Sequence, residues 1–139
     1  MHQPLEGIAA ADARLGRPFP LPAAPLPLAR WVEVIECGSG AEVAWNLDDS
    51  RPGSPGRIAL YAGVDPPPER DLPDGGPVEM RDGVAWRRAP LPEAQPALRP
   101  VRELAWTAGG VHLRLTAQGP WEDAALEAIA ASIPLGSGA

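Results

Sequence analysis

Residues 104–133, which read LAWTAGGVHLRLTAQGPWEDAALEAIAASI, decide the fold of this chain. The first half of this stretch alternates apolar and polar residues on either side of two adjacent glycines, Gly109 and Gly110. Val111, Leu113 and Leu115 share one face, which is typical of a strand with one side buried. Because glycine adopts the positive φ angles of a tight turn, the pattern predicts an antiparallel hairpin.

The second half of the stretch predicts a helix over residues 120–133. Pro120 suits the first helical turn, where its missing N–H costs nothing. Glu122 and Asp123 follow it and favour the positive end of the helix. Apolar residues then recur at helical spacing, with Glu127 outside the stripe. The predicted stripe comprises Trp121, Ala125, Leu126, Ala128, Ile129, Ser132 and Ile133.

Earlier parts of the chain repeat the strand pattern. Residues 30–47 predict a hairpin with its turn at 38–40, residues 57–64 predict a third strand, and residues 78–89 predict a further pair around Asp82 and Gly83. No helical pattern separates successive strands, so a parallel sheet is not expected. The sequence therefore predicts an α+β fold: a curved antiparallel sheet of about six strands, with one C-terminal helix packed on one face and a proline-rich N-terminal leader.

The leader spans residues 1–29. A short helix is predicted over 5–15, and prolines nearly alternate with apolar residues from 17 to 28, which favours an extended chain on a surface or edge. Phe19, Leu21 and Leu26 have two interpretations: they fill gaps in the core, or they bind a partner protein. Residues 30–134 are then a single sheet-and-helix domain, and 135–139 are a disordered tail.

Composition excludes several classes of function. A net charge of −6 argues against nucleic-acid binding, which depends on basic side chains neutralising phosphates. One cysteine and two histidines give no intramolecular disulfide and little material for a metal site, so no metal and no cofactor are expected. No apolar run is long enough to cross a bilayer. The chain as written indicates a cytoplasmic location, or an extracytoplasmic one if an anchor or signal has been removed.

Short sequence segments near the two ends of the chain resemble those of a known group of proteins. Residues 13–22 read ARLGRPFPLP, residues 104–115 read LAWTAGGVHLRL, and residues 126–133 read LEAIAASI. Together they are similar to the uncharacterised soluble domain of actinobacterial and related anti-sigma-factor-like or lipoprotein-like proteins. The resemblance implies an antiparallel sheet with a terminal helix, and it implies no catalytic residue.

Candidate chemistry is sparse. Cys37 and His112 are the one conceivable thiol–imidazole pair for nucleophilic catalysis, and a structural cysteine and a surface histidine are the simpler interpretation. Loop carboxylates such as Asp48 and Asp49 lack the regular spacing of a calcium loop. No glycine-rich phosphate loop precedes a helix. The chain is therefore expected not to be an enzyme.

Tryptophan is the residue type present in unusual number. Trp45, Trp86 and Trp106 fall on the apolar side of their predicted strands, and Trp121 falls on the helix stripe. They either pack the core or line a groove that one helix leaves uncovered on a wide sheet. Three arginines fall on the polar faces of strands: Arg87, Arg88 and Arg114. They either bind a carboxylate or phosphate group or lie at the surface, where they favour solubility, and the surface position is the simpler interpretation.

These observations favour a non-enzymatic binding or sensing domain that recognises a small apolar ligand or a protein partner. The alternative is an accessory subunit of a larger assembly, contacting it through residues 19–28 and the loop at 65–77. A hydrolase ranks third.

Overall fold

The computed structural model of the protein describes residues 8–23, 31–46, 56–67, 79–81, 83–89, 101–119 and 121–133. These residues form two helices and seven strands. In chain order the elements are α1 (Ile8–Leu15), β1 (Trp31–Cys37), β2 (Gly40–Asn46), β3 (Arg57–Gly63), β4 (Glu79–Arg81), β5 (Val84–Ala89), β6 (Val101–Ala108), β7 (Val111–Gln118) and α2 (Asp123–Ala131).

The strands form one sheet in the order β1-β2-β3-β7-β6-β5-β4, and each neighbouring pair is antiparallel. The predicted antiparallel sheet is therefore confirmed, as is the α+β class with a helix after the last strand. The described strands number seven rather than about six, because β4 is a three-residue strand at one edge. In the β6–β7 turn Gly109 and Gly110 have φ angles of 59° and 77°, as the glycine pair predicts.

One face of the sheet, called the apolar face below, is built from rows of paired hydrophobic residues. A single row crosses from β2 to β5 through Val43, Leu60, Leu115, Leu104 and Trp86. Each of these side chains is at most 1% exposed. Fully burying one such side chain contributes roughly 1.5–3 kcal/mol, so this row is a main source of the stability of the fold.

Helix α2 packs on the apolar face. Leu126 and Ile129 are 0% and 5% exposed, and with Ile133 beyond the helix they join the same hydrophobic cluster as the strands. The start of the helix is held to β6 by Arg102, whose Nε lies 3.2 Å from Oδ1 of Asp123. The Arg102 guanidinium also donates to the main-chain carbonyl of Trp121. These contacts agree with the prediction that the C-terminal helix packs on one face of the sheet.

Part of the predicted helix stripe is wrong. Ala125 and Ala128 are exposed, whereas Leu126 and Ile129 of the same predicted stripe are buried. The reason is physical: alanine is small enough to lie on either side of a helix, so the large side chains set its rotation. Helix α2 ends at Ala131, two residues before the predicted end at 133. The Ser132 hydroxyl, just beyond it, donates to the carbonyl of Ile129 at 2.7 Å.

Helix α1 lies against β1 and β2. Leu15 is 5% exposed, and Ala11 on the same side of the helix is fully buried. Arg14 fixes the position of the helix, because its Nε and Nη2 donate to the carbonyls of Gly40 and Gly38 at 2.8 and 2.7 Å. This helix confirms the short helix that the sequence predicts near the N-terminus.

The chain after α1 continues over the domain. The Phe19 N–H donates to Oδ1 of Asp12 at 2.7 Å, and the Ala23 N–H donates to the carbonyl of Ser132 at 3.1 Å, just beyond α2. Residues 24–30 and 134–139 lie outside the described residues. The structure therefore does not test the proline-rich leader as a whole, the domain limits at 29 and 134 or the disordered tail, and these stay predictions. The curvature of the sheet also stays a prediction.

Candidate functional site

A groove lies between α2 and the strands β5 and β6. Its volume is about 400 Å³. This feature is called the tryptophan groove below. Its described lining consists of Val84, Trp86, Leu104, Trp106, Glu127, Ala130 and Ala131.

The groove exists because the sheet is wider than its helices. Seven strands at about 4.8 Å spacing separate the two outer strands by roughly 29 Å. A helix with its side chains is only about 10 Å across. Helix α1 lies against β1 and β2, and α2 is tied to β6 through Arg102. The apolar cleft lies beside α2, over β5 and β6, where Val84 and Trp106 are only partly buried.

The two sides of the groove differ in character. The sheet side presents Leu104 and Trp86, both 1% exposed, together with the partly buried Trp106 and Val84. The helix side is formed by Ala130, Ala131 and Glu127. Small-molecule sites in proteins are clefts of about 300–1,000 Å³ with mostly apolar walls and few polar groups. Both the size and the lining of this groove fall in that class.

Of the four tryptophans predicted to form a groove, the structure brings two together there. Trp86 and Trp106 line it, while Trp121 is 8% exposed inside the hydrophobic cluster and Trp45 is partly buried against that cluster. Neither Trp45 nor Trp121 belongs to the described lining. Sequence reasoning missed the other five lining residues. Val84 and Leu104 read as ordinary strand residues, and the part of Glu127, Ala130 and Ala131 in the groove depends on where α2 lies. Ligand binding by any of these residues stays a prediction.

The candidate partner-binding residues of the leader are placed differently from one another. Phe19 is 6% exposed and belongs to the hydrophobic cluster, so its side chain fills the core. Leu21 is 36% exposed. Leu26 lies outside the described residues. A partner contact by this segment stays a prediction.

The opposite face of the sheet holds a second, unexpected cluster, called the polar cluster below. Glu42, Arg114 and Glu103 come from β2, β7 and β6 and are 2%, 3% and 4% exposed. Arg114 lies between the two acids, with Nη2 3.8 Å from Oε2 of Glu42 and Nε 3.8 Å from Oε2 of Glu103. The Thr116 hydroxyl lies 3.5 Å from the same Glu103 oxygen. The expectation that Arg114 is at the surface is therefore wrong.

Tyr61 completes the polar cluster. Its ring lies under the Arg114 guanidinium, 5.8 Å from the carbon of that group, and its hydroxyl donates to the carbonyl of Asp65 at 2.8 Å. Burial is the main cause that raises the pKa of Tyr61 above 10.0, and the negative charge of Asp65 acts in the same direction. The neighbouring Gly63 must lack a side chain, because a Cβ there would overlap the Tyr61 hydroxyl.

Cys37 and His112 do not form a catalytic pair. Both lie in one cross-strand row, in which Cys37 pairs with Gly40, Gly40 abuts Gly63, and Gly63 pairs with His112. Three strand spacings separate the two residues, which is roughly 14 Å. A hydrogen bond needs about 3 Å. Cys37 is also buried, at 2% exposed.

In the described part of the chain, no three His, Cys, Asp or Glu side chains gather as a metal site would require. Within the same residues, no helix is long and apolar enough to cross a membrane.

No protein-family model matches this chain, and no curated protein or solved structure shows significant similarity to it. The fold and the groove define its class: an α+β domain in which an antiparallel sheet and a C-terminal helix border an apolar cleft. The resemblance to anti-sigma-factor-like and lipoprotein-like proteins stays a prediction.

Proposed function

We propose that this chain is a non-enzymatic binding domain that takes a small apolar ligand into the tryptophan groove. The observation that carries the proposal is the groove itself, about 400 Å³ bounded by Trp86, Trp106 and Leu104 on one side and α2 on the other. Other described side chains of the apolar face, such as Val43, Leu60 and Leu115, are fully buried in the core.

The size of the groove limits its ligand. At the roughly 30 Å³ that a water molecule occupies in the liquid, the groove holds about a dozen non-hydrogen atoms. Burial of each methylene group contributes about 0.8 kcal/mol, which is roughly a fourfold gain in affinity. Affinity for straight-chain alcohols should therefore rise roughly fourfold per methylene and stop rising once the groove is full.

A calorimetric titration with alcohols of increasing length tests the proposal. The matched variants are Ala131→Trp, which places a large ring at the groove wall, and Ala128→Trp, which places the same ring on the same helix outside the described lining. Both alanines are exposed, so neither substitution disturbs the core. Octanol should bind the natural protein and Ala128→Trp alike and bind Ala131→Trp at least tenfold more weakly.

The alcohol series also separates a groove from general hydrophobic adsorption. Adsorption to scattered apolar surface continues to strengthen with chain length and is indifferent to the position of the added tryptophan. Equal binding by the two tryptophan variants, or no binding of octanol to the natural protein, would overturn the proposal. Trp106→Ala serves as a second test, since removing a wall should weaken octanol binding while the melting transition persists.

A further inference from the structure

The tryptophan groove has one charged group among its described lining residues, and its position suggests what kind of ligand fits. Glu127 lies on the exposed side of α2. Ala130 and Ala131 follow it at the third and fourth positions along the helix, the spacing that places residues on one side of a helix. The two alanines are short, so Glu127 has the longest side chain and the only charge among the described residues of this wall.

The opposite wall also favours positive charge. Trp106 is partly buried and lines the sheet side of the groove, with the almost fully buried Trp86 beside it. Tryptophan attracts cations more strongly than the other aromatic side chains do. A glutamate and a partly accessible indole on facing walls are the residue types that recognise alkylated ammonium groups. A ligand with a carboxylate would instead be repelled by the negative charge of Glu127, in a protein whose net charge is −6.

From this juxtaposition we infer that the ligand of the tryptophan groove is an amphiphile whose apolar chain lies against the tryptophans and whose cationic nitrogen lies at Glu127. The inference rests on the proposed function, because it concerns the same groove. Glu127 also has an interaction partner within the protein. A carboxylate has about four lone-pair sites, which allows it to accept from a ligand as well.

Three probes that share one eight-carbon chain test the inference: octyltrimethylammonium, octanol and octyl sulfate. They present a cation, a neutral hydroxyl and an anion to the same groove. Binding is measured by calorimetry at fixed ionic strength, well below the concentrations at which the probes form micelles. The cation should bind roughly tenfold more tightly than the neutral probe, because the Glu127 carboxylate attracts its charge and the neighbouring indole adds to that attraction. The anion should bind most weakly.

Glu127→Gln and Glu122→Gln are the matched variants. Each removes one negative charge from an exposed glutamate near the same helix, and only Glu127 lies in the described lining of the groove. Glu127→Gln should remove most of the preference for the cation and leave octanol binding unchanged. Glu122→Gln should keep the preference.

The outcomes separate the inference from the proposed function. If all three probes bind equally, or if the two glutamine variants behave alike, the inference of a cationic ligand is wrong. The proposal that the groove binds apolar ligands is then unaffected. If the anion binds best, the inference is also overturned. If no probe binds, both the inference and the proposed function fail.

Discussion

Two adjacent residues of β7 summarise the contrast between the two faces of this sheet. Leu115 points to the apolar face and is fully buried, and Arg114 points to the other face and is 3% exposed. Around Leu115 the neighbours are hydrophobic side chains of β3 and β6. Around Arg114 they are the carboxylates of Glu42 and Glu103 and the ring of Tyr61.

The two faces are therefore held by different physics. Hydrophobic burial is not directional, so the apolar face tolerates a groove beside α2 as long as the remaining area is covered. Buried ion pairs are directional, and removing one member leaves a charge without its counter-charge. The proposed ligand site lies on the face that is held by the less directional interaction.

The largest expected effect comes from substituting these two neighbours. Arg114→Met should lower the free energy of unfolding by about 3–5 kcal/mol, because it leaves two buried carboxylates without the cation between them. Leu115→Ala should lower it by about 2–5 kcal/mol through the cavity it creates. Denaturant unfolding of both variants measures the two values.

A rescue experiment distinguishes the two mechanisms. Adding Glu42→Gln and Glu103→Gln to Arg114→Met removes the uncompensated charges and should restore much of the lost stability. The same two substitutions added to Leu115→Ala should not help, since a cavity has no charge to neutralise. Equal behaviour of the two combinations would show that the polar cluster acts by packing alone.

Tyr61 provides a smaller and more specific test. It is the only tyrosine in the chain, so phenolate absorbance reports its titration directly. Burial raises its pKa above 10.0, and the folded protein should therefore ionise at higher pH than the same protein in denaturant. A folded titration midpoint at or below 10.0 would contradict the burial of this ring.

The raised pKa of Tyr61 also sets the sign of a stability change. Below pH 10 the phenol is neutral in both states, and above it the unfolded chain ionises first. Stability should thus fall as the pH rises past 10. Tyr61→Phe should abolish this part of the alkaline loss, while costing about 0.5–1.5 kcal/mol at neutral pH for the lost hydrogen bond to the Asp65 carbonyl.

The smallest expected effect concerns an exposed ion pair, the counterpart of the buried one. Nη1 of Arg14 lies 3.4 Å from Oε2 of Glu36, with both side chains partly open to solvent. Exposed pairs contribute about 0–1 kcal/mol, so Glu36→Gln should shift the unfolding midpoint only slightly, and less at high salt. A loss comparable to that of Arg114→Met would undermine the distinction between buried and exposed charge in this fold.

The sequence predicts the apolar face well and the polar cluster poorly. Alternation of Val111, Leu113 and Leu115 identifies a strand and its apolar side, because side-chain direction in a strand has a period of two. The same alternation assigns Arg114 to the other side without showing whether that side is covered. The partner Glu42 belongs to a strand that is distant in sequence, and only the strand order brings it within reach of Arg114.

The groove was predictable in part. One helix cannot cover a wide sheet, which follows from the strand count alone. Trp86 and Trp106 were therefore candidates for the groove, together with Trp45 and Trp121, which do not belong to its described lining. The inclusion of Glu127 depends on the rotation of α2, and a helix rich in alanine leaves that rotation ambiguous in the sequence. For the same reason Ala125 and Ala128 were placed on the wrong side.

The most direct test of the account follows the indole N–H signals of the five tryptophans by nuclear magnetic resonance during a titration with octyltrimethylammonium. The account predicts that the signals of Trp86 and Trp106 shift together and saturate, while those of Trp45 and Trp121 change little. Saturating shifts confined to Trp45 or Trp121, or no saturating shift at all, would contradict the claim that the groove beside α2 is the binding site.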